Sequence, residues 1–456
     1  MRFFFVFLIV VVFSTTEFFA QTTYRGPVPR ITTGFGASGR FQVDTVRFPA
    51  VGWDSASTGL PINSSRSVEV FFPRGTTSPR PTLLFAHGFG GNDARFYGEL
   101  LGNCVSRGYT VVFVPYPISI NFPSLYRTLD SGFAEAVRRF PNLIDSTRIG
   151  FAGHSFGAGA IPGIAHKAFT QRRWGANGKF LFPMAPWYAL ETSQEQLRTF
   201  PRDTKLIMQI YADDATNDHR LAMDMFLNIA IPAAEKDFVT VFADTVQNYV
   251  YGAGHGLCTT GGLAGGGTFD GYDYYAVFRL LDALMQYTFD NTNAAAKNVA
   301  LGNGSAEQVF MGSAAGRILK PLGVTDRPAP IPTAPRAQFQ CENQTNPRRA
   351  FCTLQVSSVA QSLAQTTQGI TPLRITIAPQ PASDEIRLGV QVQTAQEITV
   401  SLTDVLGNEH LRFLHVIASA GTHEIVLPLD ALPNGVYFCR VQSKEGVNTA
   451  PLLVRR

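Results

Sequence analysis

The sequence predicts an α/β body built on a mostly parallel sheet flanked by helices, followed by a small all-β, Ig-like sandwich. Three observations carry this. From about Phe41 to Gly323, short strand-like apolar runs alternate with stretches of helical spacing, the pattern of strands joined by crossover helices. Pro328 to Pro335 (PAPIPTAP) then interrupts that alternation with a spacer that proline content makes extended and semi-rigid. The last ~90 residues hold only short alternating strands between turn signals, as a sandwich requires.

Composition sets the outer bounds. At ~150 residues per domain, 456 residues allow two or three domains. An apolar content of 45% with 16% charged residues supports a packed core rather than a disordered chain. A net charge of +4 with no extended basic run excludes a nucleic-acid binder. Five cysteines are too few for a disulfide-dense scaffold, and no CxxC pair suggests a zinc site.

The elements follow in order. Residues 1–20 read as a secretory signal peptide: Met1-Arg2 gives a positive start, and the apolar run Phe3 to Phe13 falls short of the ~20 residues that span a bilayer. A cut after Ala20 is expected, giving an exported protein. Export makes disulfides durable, and Cys341 and Cys352 are close enough in sequence to close a small loop, although five incidental thiols explain the count equally well.

Residues 21–325 form the body. Ser67–Phe72, Pro81–Ala86, Tyr109–Val114, Arg148–Ala152, Leu206–Tyr211 and Asp237–Phe242 read as strands. Phe133–Phe140 and Arg220–Ile229 carry helical spacing, and Tyr274–Phe289 reads as a closing helix with Phe278, Leu281, Leu284 and Met285 on one side. Residues 326–368 read as a Pro/Gln/Ser/Thr-rich linker, and 369–456 as the β module.

The chemical signal is Gly153-His154-Ser155-Phe156-Gly157, directly after the strand ending at Ala152. A nucleophilic serine in this G-x-S-x-G pattern needs a sharp strand-to-helix turn, which the flanking glycines permit. A serine hydroxyl attacks only when a base takes its proton. His255, in the glycine-rich segment Gly252 to Gly256, stands late enough in the body to fold back as that base. The acid belongs at a strand end between them. Leu206–Tyr211 runs into Ala212-Asp213-Asp214-Ala215-Thr216-Asn217-Asp218; Asp214 is the first choice, with Asp213 and Asp218 as alternatives, the last also suited to cap the following helix. His87-Gly88-Phe89-Gly90-Gly91 follows the strand Pro81–Ala86, where backbone N–H groups of Phe89 and Phe156 would form an oxyanion hole. Gly261 to Gly267 adds a glycine-rich loop after His255, suited either to gate a cleft or simply to connect.

The order HGFGG, GHSFG, acidic loop and GHG resembles the α/β-hydrolase family over roughly Tyr24 to Gly323. Within it the chain is similar to bacterial cutinases and polyester (PET) hydrolases and to platelet-activating-factor acetylhydrolases. The resemblance implies ester hydrolysis through an acyl-enzyme and favours Asp214. Ala185-Pro186-Trp187 matches the Ala-Pro-Trp of the polyesterases, which implies that Trp187 walls an aromatic substrate subsite opposite Phe89. The chain departs from those enzymes at Phe156, where they usually carry Met, and at Ala158, where they carry Gly.

The module has its own resemblance. Ala378 to Asp384, VSLTDVLGNE, LPNGVYFCRV and the final LLVRR are similar to a type IX secretion C-terminal sorting domain. That implies the type IX secretion machinery as a partner and a secreted or cell-surface location. The remaining expectations are an ester substrate (a small ester, a lipid or a polyester), no metal or organic cofactor, no nucleic acid, and a monomer. A lipase or acetylhydrolase acting on lipid is the alternative within the fold, and a catalytically inactive surface adhesin is the alternative outside it.

Overall fold

The computed structural model describes residues 22–50, 67–260, 267–352, 373–404, 409–444 and 446–455. The expected signal peptide and all of the glycine loop but Gly267 lie outside these residues. Among the described residues, no helix is long and apolar enough to cross a membrane.

The body is organised on a nine-stranded mixed sheet in the order β1-β2-β4-β3-β5-β6-β7-β8-β13. Its strands are β1 (Val43–Pro49), β2 (Ser67–Pro73), β3 (Arg80–Ala86), β4 (Thr110–Phe113), β5 (Ile144–His154), β6 (Lys179–Met184), β7 (Lys205–Tyr211), β8 (Lys236–Val241) and β13 (Gly323–Thr325). Two small hairpins interrupt the chain between β8 and β13: β9 (Asp244–Val246) with β10 (Tyr249–Tyr251), and β11 (Ser313–Ala314) with β12 (Arg317–Ile318). The central strands from β4 to β8 run parallel. The edges β1, β2 and β13 join antiparallel, so the sheet is mixed rather than wholly parallel.

Strand periodicity explains how this sheet is buried. Successive side chains point to opposite faces, and apolar residues at every position serve two cores at once. Leu84 joins one cluster while its neighbours Leu83 and Phe85 join the other; Ile207 is likewise opposed to Leu206 and Met208. Helices Phe122–Arg139, Phe156–Thr170 and Arg220–Asn228 supply apolar residues to the first cluster. Helices Gly98–Ser106 and Arg279–Phe289 serve the second. The closing helix begins as a π turn over Asp273–Phe278, and Phe278, Leu281, Leu284 and Met285 are all buried.

The module has two antiparallel sheets, β14-β15-β18 and β17-β16-β19-β20. These are built from β14 (Arg374–Ala378), β15 (Glu385–Val392), β16 (Gln396–Asp404), β17 (Glu409–Ile417), β18 (Gly421–Pro428), β19 (Gly435–Ser443) and β20 (Gly446–Val454). Alternate residues such as Ile386, Leu388 and Val390 meet Val400, Leu402, Cys439 and Val441 in a core separate from the two of the body. The two parts therefore each own a core.

Of the expected linker 326–368, residues 353–368 lie outside the described residues, and its first part departs from that expectation. Residues 326–352 are folded onto the body rather than extended away from it. Phe339, Cys341 and Cys352 are buried in the body's core, Ile331 packs beside it, and Cys341 and Cys352 form a disulfide. Even the proline run is bent onto the body: Ala334 N–H closes a turn on the Ile331 carbonyl (3.1 Å), and Ile331 N–H donates to His219 Nε2 (2.9 Å).

Candidate active site

The site assembles at the carboxyl ends of β3, β5, β6 and β7. Ser155 stands between β5 and helix Phe156–Thr170 with φ 53° and ψ −116°, a conformation that non-glycine residues adopt at a cost and that the surroundings must hold. They do so by backbone bonds: Ser155 N–H donates to the Met184 carbonyl (2.9 Å), and the Ser155 carbonyl accepts from Trp187 N–H (2.9 Å) and Gly159 N–H (3.0 Å). The following glycine is required by close approach. A Cβ at Gly157 would lie 2.1 Å from the Ala86 carbonyl oxygen, so its absence lets the helix seat against the end of β3.

The acid loop leaves β7 at Tyr211. Asp213 is exposed, whereas Asp214 is buried. One Asp214 oxygen, Oδ1, accepts from the N–H groups of Thr216 (2.8 Å) and Asn217 (3.0 Å), which leaves Oδ2 to face His255 Nδ1 at 2.8 Å. His255 Nε2 lies 2.9 Å from Ser155 Oγ. A carboxylate can only accept, so Nδ1 carries the proton and Nε2 is left to accept from the serine hydroxyl. Asp218 is engaged elsewhere, accepting from the Arg220 side chain and from Cys341 N–H.

Phe156, as the first residue of its helix, leaves its N–H without an intrahelical partner. Among the described residues, neither Phe89 nor Phe156 N–H makes a backbone hydrogen bond outside the regular elements. Both residues line the small pocket that holds Ser155, together with Phe122, Trp187, Thr216, Phe339 and Phe438. Trp187 is buried, with its ring 5.1 Å from Phe122, 5.5 Å from Phe156 and 5.4 Å from Phe339. Among the described residues its indole Nε1 has no hydrogen-bond partner. A larger cavity of ≈ 300 Å³ lies behind the acid loop, bounded by Asp218, Arg220 and Ala337, and Ser155 does not line it.

Three supporting features escape sequence reading. The first is a strand-like addition to the acid loop. Gln338 N–H donates to the Ala215 carbonyl and Phe339 N–H to that of Thr216, both at 2.8 Å, while Asp218 N–H donates to the Phe339 carbonyl at 3.0 Å. The second is Asn217, whose amide donates to the Ala185 carbonyl (2.9 Å) and lies 3.4 Å from Ser155 Oγ. The third is a buried chain of polar groups. Gly88 N–H donates to Tyr97 Oη (2.8 Å), Tyr97 O–H donates to His154 Nδ1 (3.0 Å), and His154 Nε2–H donates to the His255 carbonyl (2.9 Å). It connects the Phe89 loop, the serine turn and the base loop. Burial, reinforced by the nearby His255, holds the His154 imidazole well below its ordinary pKa, in the neutral form this chain requires. His87 is also neutral: burial pushes its pKa down to about 3, and its ring stacks on Tyr116 at 3.8 Å.

Among the described residues, no group of three or more His, Cys, Asp or Glu side chains is placed to hold a metal ion. In comparison with known protein families, residues 376–455 match the secretion system C-terminal sorting domain. No curated protein matches the chain. The module is thus a type IX secretion sorting domain, which engages the type IX machinery and marks the protein for export, to be secreted or held at the cell surface.

Proposed function

We propose that the body is a serine carboxylic-ester hydrolase of the α/β-hydrolase fold, cutinase- or polyesterase-like. The observation that supports this reading best is the continuous line Asp214 Oδ2, His255, Ser155 Oγ, at 2.8 and 2.9 Å. In the reaction, Ser155 Oγ attacks the ester carbonyl as its proton passes to His255 Nε2. Asp214 holds the imidazole by Nδ1–H and stabilises the imidazolium. The tetrahedral oxyanion is met by the Phe89 and Phe156 N–H groups, each such donor being worth ~3 kcal/mol. His255 then protonates the departing alcohol. Water attacks the acyl-enzyme with His255 again as base, which releases the acid and restores Ser155. The aromatic lining from Phe89, Phe122, Phe156, Trp187 and Phe339 favours a flat, apolar acyl group.

The test is turnover of p-nitrophenyl esters from acetate to palmitate, with Ser155→Ala alongside. Turnover favouring short chains and absent in the variant is expected, and would lead on to aromatic polyester films. A long-chain preference would redirect the substrate assignment to lipid. A folded protein whose Ser155→Ala form turns over as fast as the parent would overturn the reading.

A further inference from the structure

We infer that the sorting module keeps the pocket of Ser155 closed, with the Phe438 ring as its plug; this rests on the esterase reading of Ser155. Strand β19 is where the two parts meet. In a two-layered sandwich one face of each strand points outward, yet β19 is buried on both faces from Val436 to Cys439. The alternation divides cleanly. Tyr437 and Cys439 point into the module's own core, while Val436 and Phe438 belong to the core of the body.

Phe438 lies 4.7 Å from Phe339 and 6.1 Å from Phe89, ring centre to ring centre, and lines the same pocket as Ser155. The docked face also carries buried polar contacts. Gln338 Nε2 donates to Thr403 Oγ1 (2.7 Å), and Thr449 Oγ1 donates to the Gln338 carbonyl (3.1 Å). Leu453 packs against the body's core as well. Thr403, Phe438 and Pro451 are lateral neighbours on adjacent strands, so the seat is a continuous patch of sheet rather than a single side chain. The cover is confined to this patch: Leu414 and Val416, on β17 of the same sheet, are 64% and 69% exposed, and Val426 on the other sheet is 51% exposed.

The consequence is steric. Only ≈ 20 Å³ of free space remains in the pocket. That admits about one water molecule, against the roughly 300 Å³ or more of a ligand site. An ester carbonyl reaches Ser155 Oγ only after the Phe438 ring leaves, and withdrawing that ring exposes both it and its aromatic box to water. The intact chain is therefore latent, and separating the module opens the site.

The experiment uses the full chain with a specific protease sequence placed within 353–372. Turnover of p-nitrophenyl butyrate and labelling of Ser155 by a fluorophosphonate are followed before and after the cut, with the freed module removed. Because the tethered module acts at a high effective concentration, about a tenfold or greater rise in both rates is expected on release, reversed by adding the module back in excess. The uncut Phe438→Ala chain should show a smaller rise in both, which keeps the question open to test should the cut body unfold. Equal rates in the intact, cut and Phe438→Ala forms of a chain that does hydrolyse ester would overturn the latency and leave the esterase reading standing. Absence of both turnover and Ser155 labelling in every form would overturn the two together.

Discussion

The serine side and the acid side of the site are held in different ways. The Ser155 turn is secured largely by its own neighbourhood: a strained φ, a glycine two residues on that admits the end of β3, and backbone bonds to Met184, Trp187 and Gly159. The Asp214 loop is secured from a distance. Its outer edge pairs with Gln338 and Phe339, more than 120 residues away, and that segment is pinned in turn by the Cys341–Cys352 disulfide. The difference teaches that one half of a candidate site can be written in five consecutive residues while the other half depends on the tertiary fold.

The sharpest way to probe the acid side is at Asp214 itself. Asp214→Asn keeps the shape but offers His255 Nδ1 the wrong partner, and a loss of about 10⁴-fold in kcat is expected by analogy with triad acids. Asp213→Asn, at an exposed position, should leave kcat within a fewfold. Equal losses in the two would show that the loop, rather than Asp214, is what matters.

Next in size is the distant brace. Removing the disulfide with Cys341→Ser and Cys352→Ser together should lower stability by about 3 kcal/mol, the value for a loop of this length. Thermal unfolding monitors the loss, and kcat should fall more than in an equally destabilised variant outside the segment. A stability loss with no separate effect on kcat would break the claimed dependence of the acid loop on residues 338–341.

On the serine side, His87 gives a pH signature. Its pKa is held down to about 3 in the fold, against 6.5 for the free side chain. Below pH 6.5 the unfolded chain therefore takes up a proton that the folded chain refuses. Stability falls as pH drops toward 3, at up to about 1.4 kcal/mol per pH unit from this group. Urea unfolding of the parent and of His87→Asn at pH 6.5 and pH 5.0 should show the steeper decline in the parent. Parallel declines would contradict the assignment.

The smallest effect is expected where the two sides touch. Asn217→Ala removes an amide shared between the Ala185 carbonyl and Ser155 Oγ, a loss of about 1 kcal/mol or roughly fivefold in kcat with KM little changed. A change confined to KM would assign Asn217 to substrate contact instead.

What was legible follows the same division. The alternation of strands and helices and the G-x-S-x-G turn are local patterns, and they lie where the sequence places them. Strand β6 is not among the strands read from sequence, because Pro183 interrupts KFLFPM and argues against a central strand; it is tolerated there one residue before the strand's end. The segment 336–352 reads as linker because its polar composition says nothing of which loop edge it will pair with. The Tyr97–His154 contact joins residues 57 apart and carries no sequence signature. From its sequence β19 reads as one more alternating strand of the module; that Val436 and Phe438 on its outer face are covered is knowable only from the fold.

The central claim is that Ser155 is a nucleophile activated by His255 and oriented by Asp214. Its most direct test is fluorophosphonate labelling of the cut chain followed by peptide mapping. The account predicts a single adduct on Ser155, absent in Ser155→Ala and strongly slowed in His255→Ala. A folded protein that takes no label, or takes it on another residue, would contradict it.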